Sequence, residues 1–241
     1  MNRSIKVLAA AAALAWGARA RAAGEEKLAK DLAAMLIAGR AVVAANQPLI
    51  NDAAKGDKGF TPDVLATAVK AELKAKGGVD VGALEPAREN DRRLLALFEA
   101  ERQVVAEAQP VINAAGKGFK AFTPAIFGFR VAERFAARTG ITLKQTSMLY
   151  RNPKNRPDEL ETKVLALLAN PGWERGVAYR EVVEVGGTKV LRLLQPLYIA
   201  RPCLSCHGDP KGEKDVSGHA KEGYKEGELR GAVSVSVAVA K

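Results

Sequence analysis

Five consecutive residues near the carboxyl end of the chain combine two thiols with an imidazole: Cys203-Leu204-Ser205-Cys206-His207. This Cys-x-x-Cys-His spacing is the one by which c-type haem is attached to protein. One helical turn brings both sulfurs to the same side, where each can form a thioether with a haem vinyl group. The imidazole that follows is then presented to the iron as its proximal ligand. The sequence therefore predicts one covalent haem c, attached through Cys203 and Cys206 and ligated by His207.

Other uses of the motif fit the sequence less well. A thioredoxin-like redox pair is expected early in a βαβ unit, whereas only 34 residues follow His207. A zinc site takes about four ligands. The chain has only two cysteines and two histidines, so His219 alone could complete such a site. A disulfide across two intervening residues would close a very small loop and add little stability.

The sixth iron position is left open by the sequence. His219, twelve residues after the proximal histidine, and Met148 are the main candidate distal ligands, with Tyr150, Tyr179 or a lysine as further candidates. A vacant or water-bound position could accept a diatomic gas. Two protein ligands would suit electron transfer, whereas an open site would suit ligand sensing. No distal acid–base group can be singled out, so an enzyme is not expected. Three arginines are candidates for contacts to the haem propionates: Arg201, Arg151 and Arg130.

The first residues have the pattern of a secretory signal. Arg3 and Lys6 form a basic start, residues 7–18 are apolar, and Ala20-Arg21-Ala22 offers small residues for cleavage. The apolar stretch is too short to span a bilayer, and no later stretch approaches the ~20 apolar residues that a membrane helix needs. We therefore expect residues 1–22 to be a signal peptide and the mature protein to be soluble, periplasmic and without a membrane span.

Composition and charge are those of a globular protein. Hydrophobic residues make up 48% of the chain and charged residues 27%. Removing the signal leaves 33 of the 37 basic residues against 27 acidic ones, which lowers the net charge from +10 to +6. Such a charge favours acidic partners, such as a periplasmic redox or signalling protein, and the haem propionates. Nucleic acid is not expected as a partner of an exported protein.

An internal duplication dominates the amino-terminal half. Residues 32–62 align without a gap on residues 94–124, and 18 of the 31 pairs are identical. Each copy is expected to form a long helix, a Gly/Lys loop and a second helix that starts at a Thr-Pro pair, Thr61-Pro62 or Thr123-Pro124. We therefore divide the mature chain into a first copy of this helical hairpin, residues 23–85, and a haem domain, residues 86–241.

Period-two alternation begins after Gly140 and predicts four strands. They are residues 141–145, 177–185, 189–197 and 232–239, with a hairpin turn at Gly186-Gly187. A short helix is expected from about Asp158 to Leu168, with Asn155 as a candidate cap. The fold class is therefore α+β: long amino-terminal helices on an antiparallel sheet, with the haem motif between the last two strands.

From about Asn90 to Val239 the chain resembles the PAS-like c-type haem sensor domain family. This family is found in periplasmic parts of bacterial histidine kinases and chemoreceptors and as stand-alone haem proteins. The resemblance rests on five elements in a fixed order: Phe122-Thr123-Pro124, residues 151–157 with Glu159 and Glu161, Gln195-Pro196-Leu197, residues 203–208, and residues 227–232. It implies a PAS-like sheet flanked by helices and a covalent haem that senses redox state or a small ligand. Electron transfer to a partner is a further use, and a plain electron-carrier cytochrome c is the alternative.

Overall fold

The computed structural model describes the backbone of residues 3–239 and the side-chain surroundings of residues 23–239. The predicted signal peptide, residues 1–22, lies outside the residues whose side chains are described, and it stays a prediction. Seven helices and a four-stranded antiparallel sheet are present in the described residues. The α+β class predicted from the sequence is thus confirmed. Within the same range no helix is both long and apolar enough to cross a membrane.

The amino-terminal half is helical, as the duplication predicts. Helix α1 (Arg3–Ala45) and the short α2 (Gln47–Ile50) precede α3 (Pro62–Ala75) in the first copy. Helices α4 (Glu89–Ile112) and α5 (Pro124–Thr139) form the second. The hydroxyls of Thr61 and Thr123 accept hydrogen bonds from Val64 N and Ile126 N, at 3.2 and 3.3 Å, so both predicted caps are present.

The sheet has the order β1-β4-β3-β2. Its strands are β1 (Thr142–Thr146), β2 (Tyr179–Val185), β3 (Thr188–Tyr198) and β4 (Leu229–Ala238). Val233, Val235 and Val237 of β4 are buried on the side that joins the helical core, as the alternation predicts. Helix α6 (Glu159–Leu168) covers part of the other side, which is why Ala232 is buried as well.

One core joins the first copy to the sheet. Leu36 and Val43 of α1 belong to the same buried cluster as Leu193 of β3 and Val235 of β4. Helix α1 contacts β3 and β4 directly, and α5 lies against β1. The domain boundary between residues 85 and 86 remains a prediction based on the repeat, but the packing does not separate the two sides into independent cores.

The two helical copies exchange equivalent contacts. Gln47 Nε2 donates to Phe122 O at 2.9 Å, and Gln109 Nε2 donates to Phe60 O at the same distance. The loops repeat this exchange, because Lys58 N donates to Asn113 Oδ1 and Lys120 N to Asn51 Oδ1, at 3.0 and 2.9 Å. Such i-to-j and j-to-i pairing is the pattern of a two-fold symmetric interface. The duplication therefore builds, within one chain, an interface of the kind that joins two identical subunits.

Helices α1 and α4 meet at two equivalent positions, Gly39 and Glu101. A Cβ on Gly39 would lie 2.5 Å from Glu101 Oε1, so a larger residue there would force the Glu101 carboxyl group to move. Glu101 is fully buried, and neither carboxyl oxygen has a hydrogen-bond partner among the described residues. Burial raises the pKa of Glu101 well above its usual value, since the charged form would lack both water and a counter-ion.

Candidate functional site

The Cys-x-x-Cys-His motif lies between β3 and β4, as predicted. A 3₁₀ turn (Arg201–Cys203) leads into the single turn of α7 (Leu204–His207). Gly208 ends this turn, and a Cβ there would come within 2.7 Å of Leu204 O, so only glycine fits. Both cysteines are free thiols and partly buried. One turn thus presents two thiols and an imidazole together.

Glu222 holds the imidazole of His207. The distance from His207 Nδ1 to Glu222 Oε2 is 2.7 Å. Burial lowers the pKa of His207 despite this carboxylate, and the nearby cations Arg230 and Arg151 act in the same direction. For Glu222, burial opposes ionisation, but hydrogen bonds from Arg151 and His207 outweigh it and lower the pKa. A neutral His207 that donates Nδ1–H to an ionised carboxylate has its Nε2 lone pair free for a metal.

Arg151 connects this pair to the surrounding loops. Its Nε lies 2.7 Å from Glu222 Oε1, its Nη1 lies 2.6 Å from Asp215 Oδ2, and its Nη2 donates to Cys206 O at 2.7 Å. Burial acts to lower the pKa of Arg151, but the hydrogen bonds to Glu222 and Asp215 raise it overall. All three guanidinium nitrogens therefore contact protein acceptors, and the predicted propionate contact of Arg151 stays a prediction.

An exposed apolar segment precedes Arg151 in the chain. Met148, Leu149 and Tyr150 follow β1 and are 55%, 51% and 39% exposed. Three consecutive large apolar residues are unusual on a surface unless they cover something. Because the next residue donates to Cys206 O, this segment leads directly to the motif.

Arg40 reaches the site from the first helical copy. The charge of its guanidinium interacts with Cys203 and Arg230, and burial is the main cause that lowers its pKa to about 10. Arg40 Nε is buried and has no hydrogen-bond partner among the described residues. Room for the side chain comes from Gly128 of α5, where a Cβ would lie 2.9 Å from Arg40 Cδ.

The remaining predicted site residues lie on the surface. Arg201 and Arg130 are exposed. His219 is also exposed; its Nδ1 lies 3.0 Å from Ser217 Oγ, and its backbone N donates to Asp215 Oδ1 at 3.2 Å. Through Asp215 and Arg151 this loop is tied to the His207–Glu222 pair. The roles of Arg201, Arg130, His219 and Met148 stay predictions.

These features fit the haem that the motif predicts. Two unpaired thiols stand one turn apart, the neighbouring imidazole has one nitrogen fixed and one free, and an unpartnered buried guanidinium nitrogen lies close by. In residues 23–239, no group of three or more His, Cys, Asp and Glu side chains is arranged to hold a metal ion by itself.

Sequence reasoning missed Glu222 and Arg40, which lie 15 residues after His207 and 163 residues before Cys203. No spacing rule links either residue to the motif. One signal for Arg40 was available, because it is a charged residue in an apolar helix and recurs as Arg102 in the second copy.

A family pattern covers most of the same region. Residues 79–238 match the family described as Tll0287-like. The chain belongs to the Tll0287-like family. The Tll0287-like region begins ahead of α4 and ends in the last strand, so it contains the motif, Glu222 and the sheet, and it confirms the family resemblance found in the sequence. It leaves out residues 23–78, which contain most of the first helical copy and Arg40.

One solved structure is similar to the chain. It is titled "Crystal structure of the cyanobacterial heme-protein Tll0287" and shares 19% identity at a TM-score of 0.44. The similarity covers 65% of this chain and 98% of that one. No curated protein matches the chain.

Proposed function

We propose that the chain is an exported, periplasmic protein that carries one covalent haem c. Each thiol, Cys203 and Cys206, would add across a haem vinyl group. The S–H bond breaks, a carbon–sulfur bond forms, and the hydrogen goes to the other vinyl carbon. His207 would then bind the iron through Nε2. The observation that carries this proposal is the His207 Nδ1 to Glu222 Oε2 contact of 2.7 Å beside two free thiols on the same turn.

Within this proposal the protein binds and reports rather than catalyses. Bound haem supplies a one-electron redox centre and an iron that can accept a small ligand. Membership of the Tll0287-like family supports the resemblance from which a sensing role was inferred. We therefore propose redox or small-ligand sensing, with a diatomic gas as one ligand and a periplasmic redox or signalling protein as the partner that receives the signal or the electron.

The first experiment tests haem attachment. The full chain is expressed in a host with cytochrome c maturation machinery and purified under denaturing conditions. We expect a pyridine haemochrome spectrum and a mass equal to processed polypeptide plus one haem. The double variant Cys203→Ala/Cys206→Ala should lose both, whereas Ser205→Ala, on the same turn, should keep both. A wild-type protein with bare polypeptide mass would contradict the proposal.

The second experiment separates a sensor from a plain electron carrier. Carbon monoxide is added to the reduced protein, and the Soret band is followed. A shift is expected if the distal position is open or weakly held; an unchanged band would favour the carrier. The same spectra of His219→Ala and Met148→Leu show whether either side chain is the sixth ligand, because removing a ligand changes the low-spin spectrum.

A further inference from the structure

Arg40, whose charge interacts with Cys203 of the motif, has a guanidinium nitrogen that no protein group in the described part of the chain satisfies. Arg40 Nε is buried without a hydrogen-bond partner among the described residues, although burying an unpaired donor is unfavourable. The groups that interact with the charge of Arg40 are Cys203 and a second cation, Arg230. No carboxylate of the site therefore compensates this charge. Both carboxylates that face the motif from the loop, Glu222 and Asp215, contact Arg151 instead.

The surrounding elements make room for this side chain. Gly128 of α5 lies against Arg40 Cδ, and a Cβ there would also come within 3.1 Å of Gln145 Cδ on β1. Gln145 Nε2 in turn donates a hydrogen bond to Ala125 O at 3.0 Å, which holds the Gln145 side chain in place. Arg40 therefore lies where α1, α5 and β1 meet, and its charge interacts with Cys203 and Arg230.

The equivalent residue in the second copy has a different environment. Arg102 lies 62 positions later in the duplication, and its side chain is 36% exposed. Its Nη2 contacts Asp63 Oδ1 at 2.8 Å and its Nη1 contacts Glu99 Oε2 at 3.0 Å. Arg102 thus pairs with two carboxylates. The equivalent Arg40, whose charge interacts with the motif, has no partner for its Nε within the described residues.

We propose that Arg40 belongs to the haem site, where its guanidinium donates to an oxygen carried by the bound haem and holds a positive charge near the iron. The acceptor is a propionate carboxylate or an oxygen-bearing molecule on the distal side of the iron, both of which are hydrogen-bond acceptors for a guanidinium. This inference rests on the proposed haem attachment. It makes the first helical copy part of the site, although Arg40 lies outside the Tll0287-like region.

The reduction potential of the haem tests whether Arg40 holds its positive charge near the iron. A cation near the iron disfavours the ferric state, so removing it should favour that state. With the loaded full chain, Arg40→Met should shift the ferric–ferrous equilibrium about tenfold toward ferric iron, which lowers the potential by about 59 mV. Arg40→Gln, which is neutral but polar, should give the same shift and replaces the first variant if that one does not fold. Arg40→Lys keeps the charge and should change the equilibrium less than about threefold.

Arg102→Met is the matched control, with an expected change below about twofold. Neutral variants of Arg40 that are loaded with haem and keep the wild-type potential would overturn the inference. The infrared C–O stretch of the carbon monoxide complex distinguishes the two acceptors. A shift in Arg40→Gln assigns the contact to the distal side, and an unchanged stretch with a lowered potential assigns it to a propionate. Absence of haem from the wild-type protein would instead contradict the proposed function.

Discussion

Glu222 brings a negative charge to the imidazole of the motif, whereas Arg40 brings a positive one to its neighbourhood. A carboxylate on the Nδ1–H of an iron-bound histidine makes the ligand more basic and orients its ring. The greater basicity and the negative charge stabilise ferric iron relative to ferrous iron. At the residue scale, the two side chains are therefore expected to move the reduction potential in opposite directions.

Glu222→Gln removes this charge but keeps an acceptor for Nδ1–H. We expect the ferric–ferrous equilibrium to shift about tenfold toward ferrous iron, which raises the potential. Spectroelectrochemical titration of the haem-loaded protein measures the change. Glu213→Gln is the control, because Glu213 is an exposed residue near the same site whose carboxylate pairs with Lys221, at 3.3 Å. Equal potentials in wild type and Glu222→Gln would show that the carboxylate does not act on the iron.

Glu101 should make stability depend on pH. Its folded pKa is raised above the unfolded value, so the folded state keeps a proton that the unfolded state releases. The contribution of Glu101 to the free energy of unfolding is therefore greatest below the unfolded pKa of about 4.5. It falls as pH rises toward the folded pKa, by up to about 1.4 kcal/mol per pH unit. Glu101→Gln should remove this loss.

Urea unfolding at pH 5, 7 and 8 measures the effect. We expect the advantage of Glu101→Gln over wild type to increase across this series. Glu99→Gln, two residues away on the exposed side of α4 in a pair with Arg102, should show no such trend. An advantage that stays constant with pH would mean that Glu101 ionises normally in the folded protein.

The repeated loops show how the two copies have diverged at the element scale. Gly59 and Ala121 occupy equivalent positions before the Phe-Thr-Pro element, and both have positive φ, at 64° and 56°. Glycine adopts this left-handed region without strain, whereas alanine is destabilised there by about 1–2 kcal/mol. The second copy therefore carries backbone strain that the first avoids.

Ala121→Gly should relieve this strain. We expect stabilisation by about 0.5–1 kcal/mol, the strain relieved less the extra entropy that glycine loses on folding. Chemical denaturation of the full chain provides the value. The reverse change in the other copy, Gly59→Ala, has open space for the Cβ and should destabilise by a similar amount. If Ala121→Gly destabilised the protein, the backbone at Ala121 would not be strained.

Local rules in the sequence predicted most of the elements but not their arrangement. The strands, the Gly186-Gly187 turn and the motif between β3 and β4 follow from alternation, turn residues and spacing. The predicted cap of the short helix was wrong: Asp158 caps α6 in a capping box with Glu161, while Asn155 ends a separate 3₁₀ turn. Asp158 three residues before Glu161 is a capping-box spacing, and it outweighs a nearby asparagine.

Contacts between distant segments could not be predicted in this way. The sequence shows that residues 32–62 and 94–124 are alike, but not that Gln47 and Gln109 each bond to the other copy. It also does not show that α1 lies on the sheet and delivers Arg40 to the motif. These features arise from tertiary packing, which a local pattern does not encode.

At the scale of the whole molecule, the first copy takes part in folding the rest. Helix α1 contributes fully buried side chains, among them Leu32, Leu36 and Val43, to the core that includes the sheet. Without them, β3 and β4 would expose an apolar face, and Phe122 O would lose its bond from Gln47. Residues 79–241, which contain the whole Tll0287-like region, should therefore not form a stable haem protein alone.

Supplying residues 23–78 as a separate chain should restore the folded, haem-loaded protein. We expect residues 79–241 to show little folded, haem-loaded material, and co-expression with exported residues 23–78 to recover a one-to-one complex. Size-exclusion chromatography with light scattering and haem absorbance measures this. A fragment carrying Leu36→Asp should fail, because a carboxylate would enter the core; one carrying Lys55→Asp, at an exposed loop position, should succeed. A shorter chain that is monomeric, loaded with haem and as stable as the full protein would show that the sheet does not need α1.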